Sequence, residues 1–415
     1  MRKLLISELR YSDWLQPDDV VGWPQGPGEP LALTEALIDQ RAQLQSPGLL
    51  FGLTQSDTLR PELAESFALH ALNGAGSSRR VTAFSEIYPG HVSQIPGLLR
   101  GGVLPLDVVL IQVVPLGRDS YSLGVISDFT QAMISRARVV IALLNPALPA
   151  MLGDAIVRAE EIDLLVDSDS RIIDLPDPVP SEAERAVARQ VAALIPDRAT
   201  VQLGVGTLPA AVAEALMQHR ELGVHSGVVS DVLVDLVEAG VVTNAHKGSS
   251  AGKTVTGGLF GTQRLRDFAA TSGLVEMRNV EYTHHLSVTS ALDQFHTINS
   301  AIEIDLSGQV NSEIAAGRYL GAVGGQVDFV RAGVASRGGR SIIAVPSATP
   351  DGKHSRIVAS LAGRPVTTAR SDVDVIVTEF GAAHLRGCGL HERARRLIAI
   401  AHPDHRDALQ AALKN

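Results

Sequence analysis

The feature that most constrains this chain is a rhythm of short apolar runs separated by helix-compatible segments. In the first half the runs are "DVVLIQVV" (107–114), "RVVIALLN" (138–145) and "IDLLV" (162–166), with a helical stretch over 128–136. Near-continuous apolar runs of this length suit strands buried on both faces, and their alternation with helices predicts parallel strands with crossovers. The second half restarts the rhythm. "ATVQLGVG" reads as strand and turn, 209–220 as a helix opening on proline, and "GVHSGVV" as a strand. A helix over 231–239, closed by Gly240, follows, and later come the buried runs "RSIIAVP" and "VDVIVTEF". "FHTINSAIEIDLSGQVN" alternates, with Ser307-Gly308 as a hairpin turn, and amphipathic helices over 391–400 and after Pro403 close the chain.

Between the halves lies "DLPDPVPSEAE" (174–184), rich in proline and acid. It ends in a capping-box pattern, Ser181 with Glu184 three residues on, which predicts a helix over 182–194. At 415 residues the chain exceeds one ordinary core. The expected organisation is therefore two α/β domains, 1–180 and 181–415.

Composition narrows the function. Hydrophobic residues at 45 % and charged residues at 20 % suit a folded α/β enzyme, and a net charge of −9 argues against a nucleic-acid or anionic-membrane binder, which needs a basic face. No apolar run reaches the roughly 18 residues of a spanning helix, and the N-terminus lacks a signal-peptide pattern, so a cytoplasmic protein is expected. The one cysteine, Cys388, excludes an internal disulfide. Its setting, "RGCGL", is that of a turn. The thirteen histidines form no metal-binding spacing, and no metal is expected; His284-His285 reads as an exposed pair.

"GVGTLP" places a glycine turn between a strand and a helix, where free amides and the helix dipole favour an anion. A dinucleotide-binding turn would want a third glycine and an acid some 20 residues on; here Pro209 follows Leu208 and position 225 is histidine. Such a turn can equally be a tight connection. "GAVGGQVDF" (321–329), between strand-like segments, is either a close-packed bend or an anion-binding nest. "GPGEP" (26–30) is either a surface turn or a mount for the carboxylate of Glu29.

Taken in order, "QLGVGTLPAAV", "LGVHSGVVSD", "LVEAGVVTN", "INSAIEIDLSGQVN", "GAVGGQVDF", "DGKHSRIV", "DVIVTEFGAAHLRG" and "ERARRLIAIAHPDHR" resemble the acetyl-CoA hydrolase/transferase family, and its 4-hydroxybutyrate CoA-transferase branch in particular. "PGHVSQIPGLLRGGVLPLDVVLIQVVPL" extends the resemblance over nearly the whole chain. The resemblance implies two open-sheet α/β CoA-transferase-like domains with the active site at their interface, coenzyme A as substrate, a small carboxylic acid as partner, and a homodimer. It also implies that Gly204, Val205, Gly206, Thr207 and Leu208, with Val323, Gly324, Gly325 and Val327, hold CoA and the thioester oxyanion through backbone amides. Lys353 would be a further CoA contact.

In that family a glutamate attacks the acyl-CoA thioester and becomes a glutamyl-CoA thioester, a role that suits a carboxylate because it is both nucleophile and leaving group. The family motif, His-Thr-Glu, aligns here with His225-Ser226-Gly227. Glycine stands at the nucleophile position. Three readings follow: thioester chemistry relocated to Glu303 or Glu29, or carried by water with His225 or Glu303 as base; an acyl-CoA binding protein without turnover; or lyase, condensation or acyl-exchange chemistry in the same pocket. Glu303 is the preferred carboxylate, although it can equally make a structural hydrogen bond. Glu29, Ser226 and Gly227 would line the substrate pocket, and the space left by the absent side chain is expected to admit water.

Overall fold

The computed structural model describes residues 1–169 and 171–413. Its chain divides into two compact units: Met1–Pro176 with Val255–Thr283 and Arg318–Gly324, and Asp177–Thr254 with His284–Gly317 and Gly325–Asn415. The first division falls inside the proline-rich segment. The expectation of an uninterrupted second domain is corrected, because 255–283 and 318–324 return to the first unit. Excursions this short carry no periodicity that would betray which core they join.

In the first unit, eight strands pair in the order β1-β8-β7-β6-β2-β3-β4-β5. They are β1 (Arg2–Leu5), β2 (Val20–Gly22), β3 (Gly48–Phe51), β4 (Ala68–Ala71), β5 (Ser85–Ile87), β6 (Val108–Pro115), β7 (Val139–Leu144) and β8 (Leu164–Asp167). Every neighbouring pair is parallel. Residues 108–113 are all buried, which accounts for the unbroken apolar run read from the sequence.

The second unit has a six-stranded sheet, β10-β9-β11-β12-β13-β14. Its strands are β9 (Thr200–Gln202), β10 (Gly223–Val224), β11 (Phe295–Ser300), β12 (Arg340–Ala344), β13 (Val375–Thr378) and β14 (Gly381–His384). All pairs are parallel except β13 with β14. The helices used below are α1 (Glu182–Ala192), α2 (Thr207–Leu216) and α3 (Gln326–Ala335). The expected capping box is present: Ser181 Oγ accepts from the Glu184 amide, and Glu184 Oε2 accepts from the Ser181 amide at 2.8 Å. Glu303–Asp305 and Val310–Asn311 form the expected hairpin around Gly308, whose φ is +92°.

Two local expectations change. "GVHSGVV" is strand only at Gly223–Val224, because its one strand partner in the sheet among the described residues, β9, ends at Gln202. "GAVGGQVDF" does not lie between strands; its last four residues open α3. Both glycine clusters therefore lead into helices.

Candidate active site

Ligands of open parallel sheets sit at the carboxyl ends of strands, where the chain departs to opposite sides of one strand. β9 has that position in the second unit. The chain leaves β9 through α2 to β10 on one side, and β11 lies on the other. At this end the glycine turn 203–206 follows β9, His225–Gly227 follow β10, and 301–303 follow β11.

The turn is shaped by its backbone. Gly206 has φ +120°, a conformation closed to other residues, while an added Cβ there would meet nothing within 4 Å. Conformation, not space, requires that glycine. Thr207 opens α2 and donates its hydroxyl to Glu184, which also serves the α1 cap. Burial alone would raise the Glu184 carboxyl; the hydroxyls of Thr207 and Ser181 and the charge of Arg356 hold it below its ordinary range. The first amides of α2 have no intrahelical acceptor and face the end of the sheet.

Residues after β10 are fixed from below. The Asn244 side chain accepts from the Val224 amide at 2.8 Å, and the buried Lys247 ammonium donates to Val224 O at 2.8 Å and to Lys253 O at 2.6 Å. Ser226 Oγ donates to Leu203 O at 2.5 Å, tying this segment to the glycine turn. His225 is buried, with its ring edge-on to Phe295 at 6.0 Å.

A cavity of about 990 Å³ lies in the same unit, lined by Glu303, Lys353, His354, Arg356, Arg364 and others. That is large enough for a sizeable ligand. Glu303 is not free in it: Arg364 Nη1 lies 2.5 Å from its Oε2, and Asn311 Nδ2 donates to the same oxygen at 3.4 Å. The buried Nε of Arg356 has no hydrogen-bond acceptor among the described residues. Burial pushes this guanidinium down, against the pull of Glu184, Glu303 and Glu379. Three cations, Lys353, Arg356 and Arg364, line the cavity with a single paired carboxylate.

The space over Gly227 is occupied. A Cβ built there would lie 2.7 Å from His284 Cε1 and 3.0 Å from His284 Nε2. This corrects two expectations at once: His284 is buried rather than exposed, and its imidazole stands where water was expected. The exposed half of the pair is His285 alone. Burial pushes the His284 pKa down to about 3, so the ring is neutral near pH 7. It packs on Phe329 at a centroid distance of 4.5 Å.

Of the residues expected to form the site, the second unit holds Gly204–Leu208, His225–Gly227, Glu303, Gly325, Val327 and Lys353. Val327 is buried in the first turn of α3 and turns its side chain to the core. Glu29, Val323 and Gly324 belong to the first unit. Glu29 is not on a surface turn but 1 % exposed. It accepts from Thr34 Oγ1 at 3.0 Å and Ser56 Oγ at 2.8 Å. Burial raises its pKa, and the Thr58, Ser56 and Thr34 hydroxyls only partly offset that. Sequence reasoning missed His284, Arg356 and Arg364. Arg356 lies in "DGKHSRIV", whereas nothing in the His-His pair signals a ring against a glycine.

Comparison with known proteins gives the family and the fold. The model of the acetyl-CoA hydrolase/transferase C-terminal domain matches residues 261–413. The 4-hydroxybutyrate coenzyme A transferase of Clostridium kluyveri is 37 % identical, over 93 % of this chain and 92 % of its own. The crystal structure of RipA from Yersinia pestis matches with a TM-score of 0.92 and 31 % identity, covering 100 % of this chain and 97 % of that one. A 4-hydroxybutyrate CoA-transferase from Porphyromonas gingivalis gives 0.84 and 32 %, over 100 % and 97 %.

Proposed function

We propose a particular chemistry from the premise that this chain belongs to the acetyl-CoA hydrolase/transferase family and is an acyl-CoA processing enzyme, a CoA-transferase or acyl-CoA hydrolase. The chemistry is thioester hydrolysis by direct attack of water, with no glutamyl-CoA intermediate. What supports this reading is that Gly227 aligns with the family's nucleophile position while both alternative carboxylates are engaged. Glu303 is ion-paired with Arg364, and Glu29 is buried and already accepts from the Thr34 and Ser56 hydroxyls. A carboxylate so held is a poor nucleophile.

In this reading the 3′-phosphate and diphosphate of CoA meet Lys353, Arg356 and Arg364 in the cavity. Arginine, with its planar fork of donors, is the side chain suited to a phosphate. The amides of Val205 and its neighbours receive the oxyanion as water adds to the thioester carbon, a contribution of about 3 kcal/mol per donor in such sites. The C–S bond then breaks, giving the carboxylate, CoA thiol and one proton. With Glu303 paired, His225 is the remaining base. A small acyl group is expected, and the protein is expected to act in the cytoplasm as a homodimer.

The test is CoA release from acetyl-, propionyl- and succinyl-CoA with no acceptor acid present. Release without any borohydride-trappable adduct on the intact protein is expected. Release that depends on an added carboxylic acid, or a trapped adduct on Glu303 or Glu29, would overturn the reading.

A further inference from the structure

We infer that His284 decides which reaction this site performs, by holding the space that a nucleophilic side chain at position 227 would need. The inference rests on the reading of 227 as the nucleophile position. Two glycines make the niche. A Cβ at Gly227 would come within 2.7 Å of the ring, and a Cβ at Gly325 within 2.5 Å of His284 Nε2 and 2.7 Å of its Cδ2. The Nε2 edge of the imidazole is thus bounded by two backbones without side chains. Real Cβ contacts do not approach so closely, so at either position the ring and a side chain exclude each other.

The ring cannot give way cheaply. It packs on Phe329, which clusters with Leu292, Phe295 and Ala332 in the packed interior. Neither glycine is demanded by its backbone, since Gly227 and Gly325 both lie outside the positive-φ region. Their want of a side chain is explained by the ring.

The consequence is chemical. In the covalent route a carboxylate oxygen at 227 attacks the acyl carbonyl and expels CoA thiolate, leaving a mixed anhydride. The thiolate then attacks the carbonyl at 227, releasing the acyl carboxylate and leaving a protein-bound CoA thioester. His284 removes the room for the first step. Gly227→Glu alone is therefore expected to fail as a transferase, and the gain requires His284→Ala beside it.

The experiment compares wild type, Gly227→Glu, His284→Ala and the double variant for a CoA thioester adduct by intact mass and its reduction to the alcohol by borohydride, for CoA transfer to acetate, and for thermal stability. Only the double variant should carry an adduct at position 227 and transfer CoA at least 10-fold faster than wild type. An equal adduct in Gly227→Glu alone, or none in a folded, CoA-binding double variant, would overturn the inference. Gly227→Ala covers the case of a misfolded double variant. It should lower Tm by about 3 °C or more in the His284 protein and leave Tm unchanged when His284 is alanine; equal losses in both would also overturn it. A wild type without hydrolysis beside an adduct-forming double variant would remove the hydrolase reading and leave the role of His284 standing.

Discussion

Acid should expose the cost of burying His284. An unfolded histidine titrates near 6.5, whereas this ring resists protonation down to about 3. Because the folded pKa is depressed, the unfolded chain binds the proton first, and stability is lost as pH falls through 6.5, with the loss complete near pH 3. Each unit of difference is worth 1.36 kcal/mol, so the contribution is close to nil at pH 8 and about 2 kcal/mol of destabilisation at pH 5. Other groups titrate in the same range. The raised carboxyls of Glu29 and Asp128 oppose the trend, since their folded pKa values lie above the unfolded ones. The comparison with His284→Asn cancels them. Urea unfolding of both proteins at pH 8, 6.5 and 5 should give a stability difference that shifts by about 2 kcal/mol in favour of the variant at pH 5. A pH-independent difference would refute the buried, neutral ring.

Arg356→Ala should weaken CoA binding by about 10- to 100-fold, the loss of a charge-assisted contact, measured by calorimetry; unchanged affinity would remove Arg356 from the ligand site. Glu303→Gln should change acyl-CoA hydrolysis by no more than about 5-fold, since a partly exposed pair contributes little. A loss beyond about 100-fold would instead make Glu303 the base. His225→Asn should lower kcat by about 100-fold or more with KM little moved, read by thiol release, whereas a merely structural histidine would show its loss in Tm.

Much of this fold is legible in the sequence because it is built from repeated local signals. The runs at 108–113 and 139–143 are buried on both faces, and Ser181 with Glu184 announces a helix by its cap. The glycine turn after β9 was equally plain. What the sequence concealed depends on long-range packing. Residues 255–283 and 318–324 join the first unit although their neighbours in the chain join the second. His284 meets Gly227 across 57 positions, and no local pattern marks that meeting. Whether Glu303 is a nucleophile or a structural partner stays open in the sequence, because its ion-pair partner Arg364 lies 61 residues on.

The direct test of water as the attacking group is a single turnover in H₂¹⁸O, with enzyme in excess over acyl-CoA. Direct hydrolysis puts one ¹⁸O into the carboxylic acid released in that turnover. A covalent relay gives the first acid its second oxygen from the protein, so that acid emerges unlabelled and the label appears on the enzyme. The account predicts labelled acid and unlabelled protein; unlabelled acid from the first turnover would contradict it.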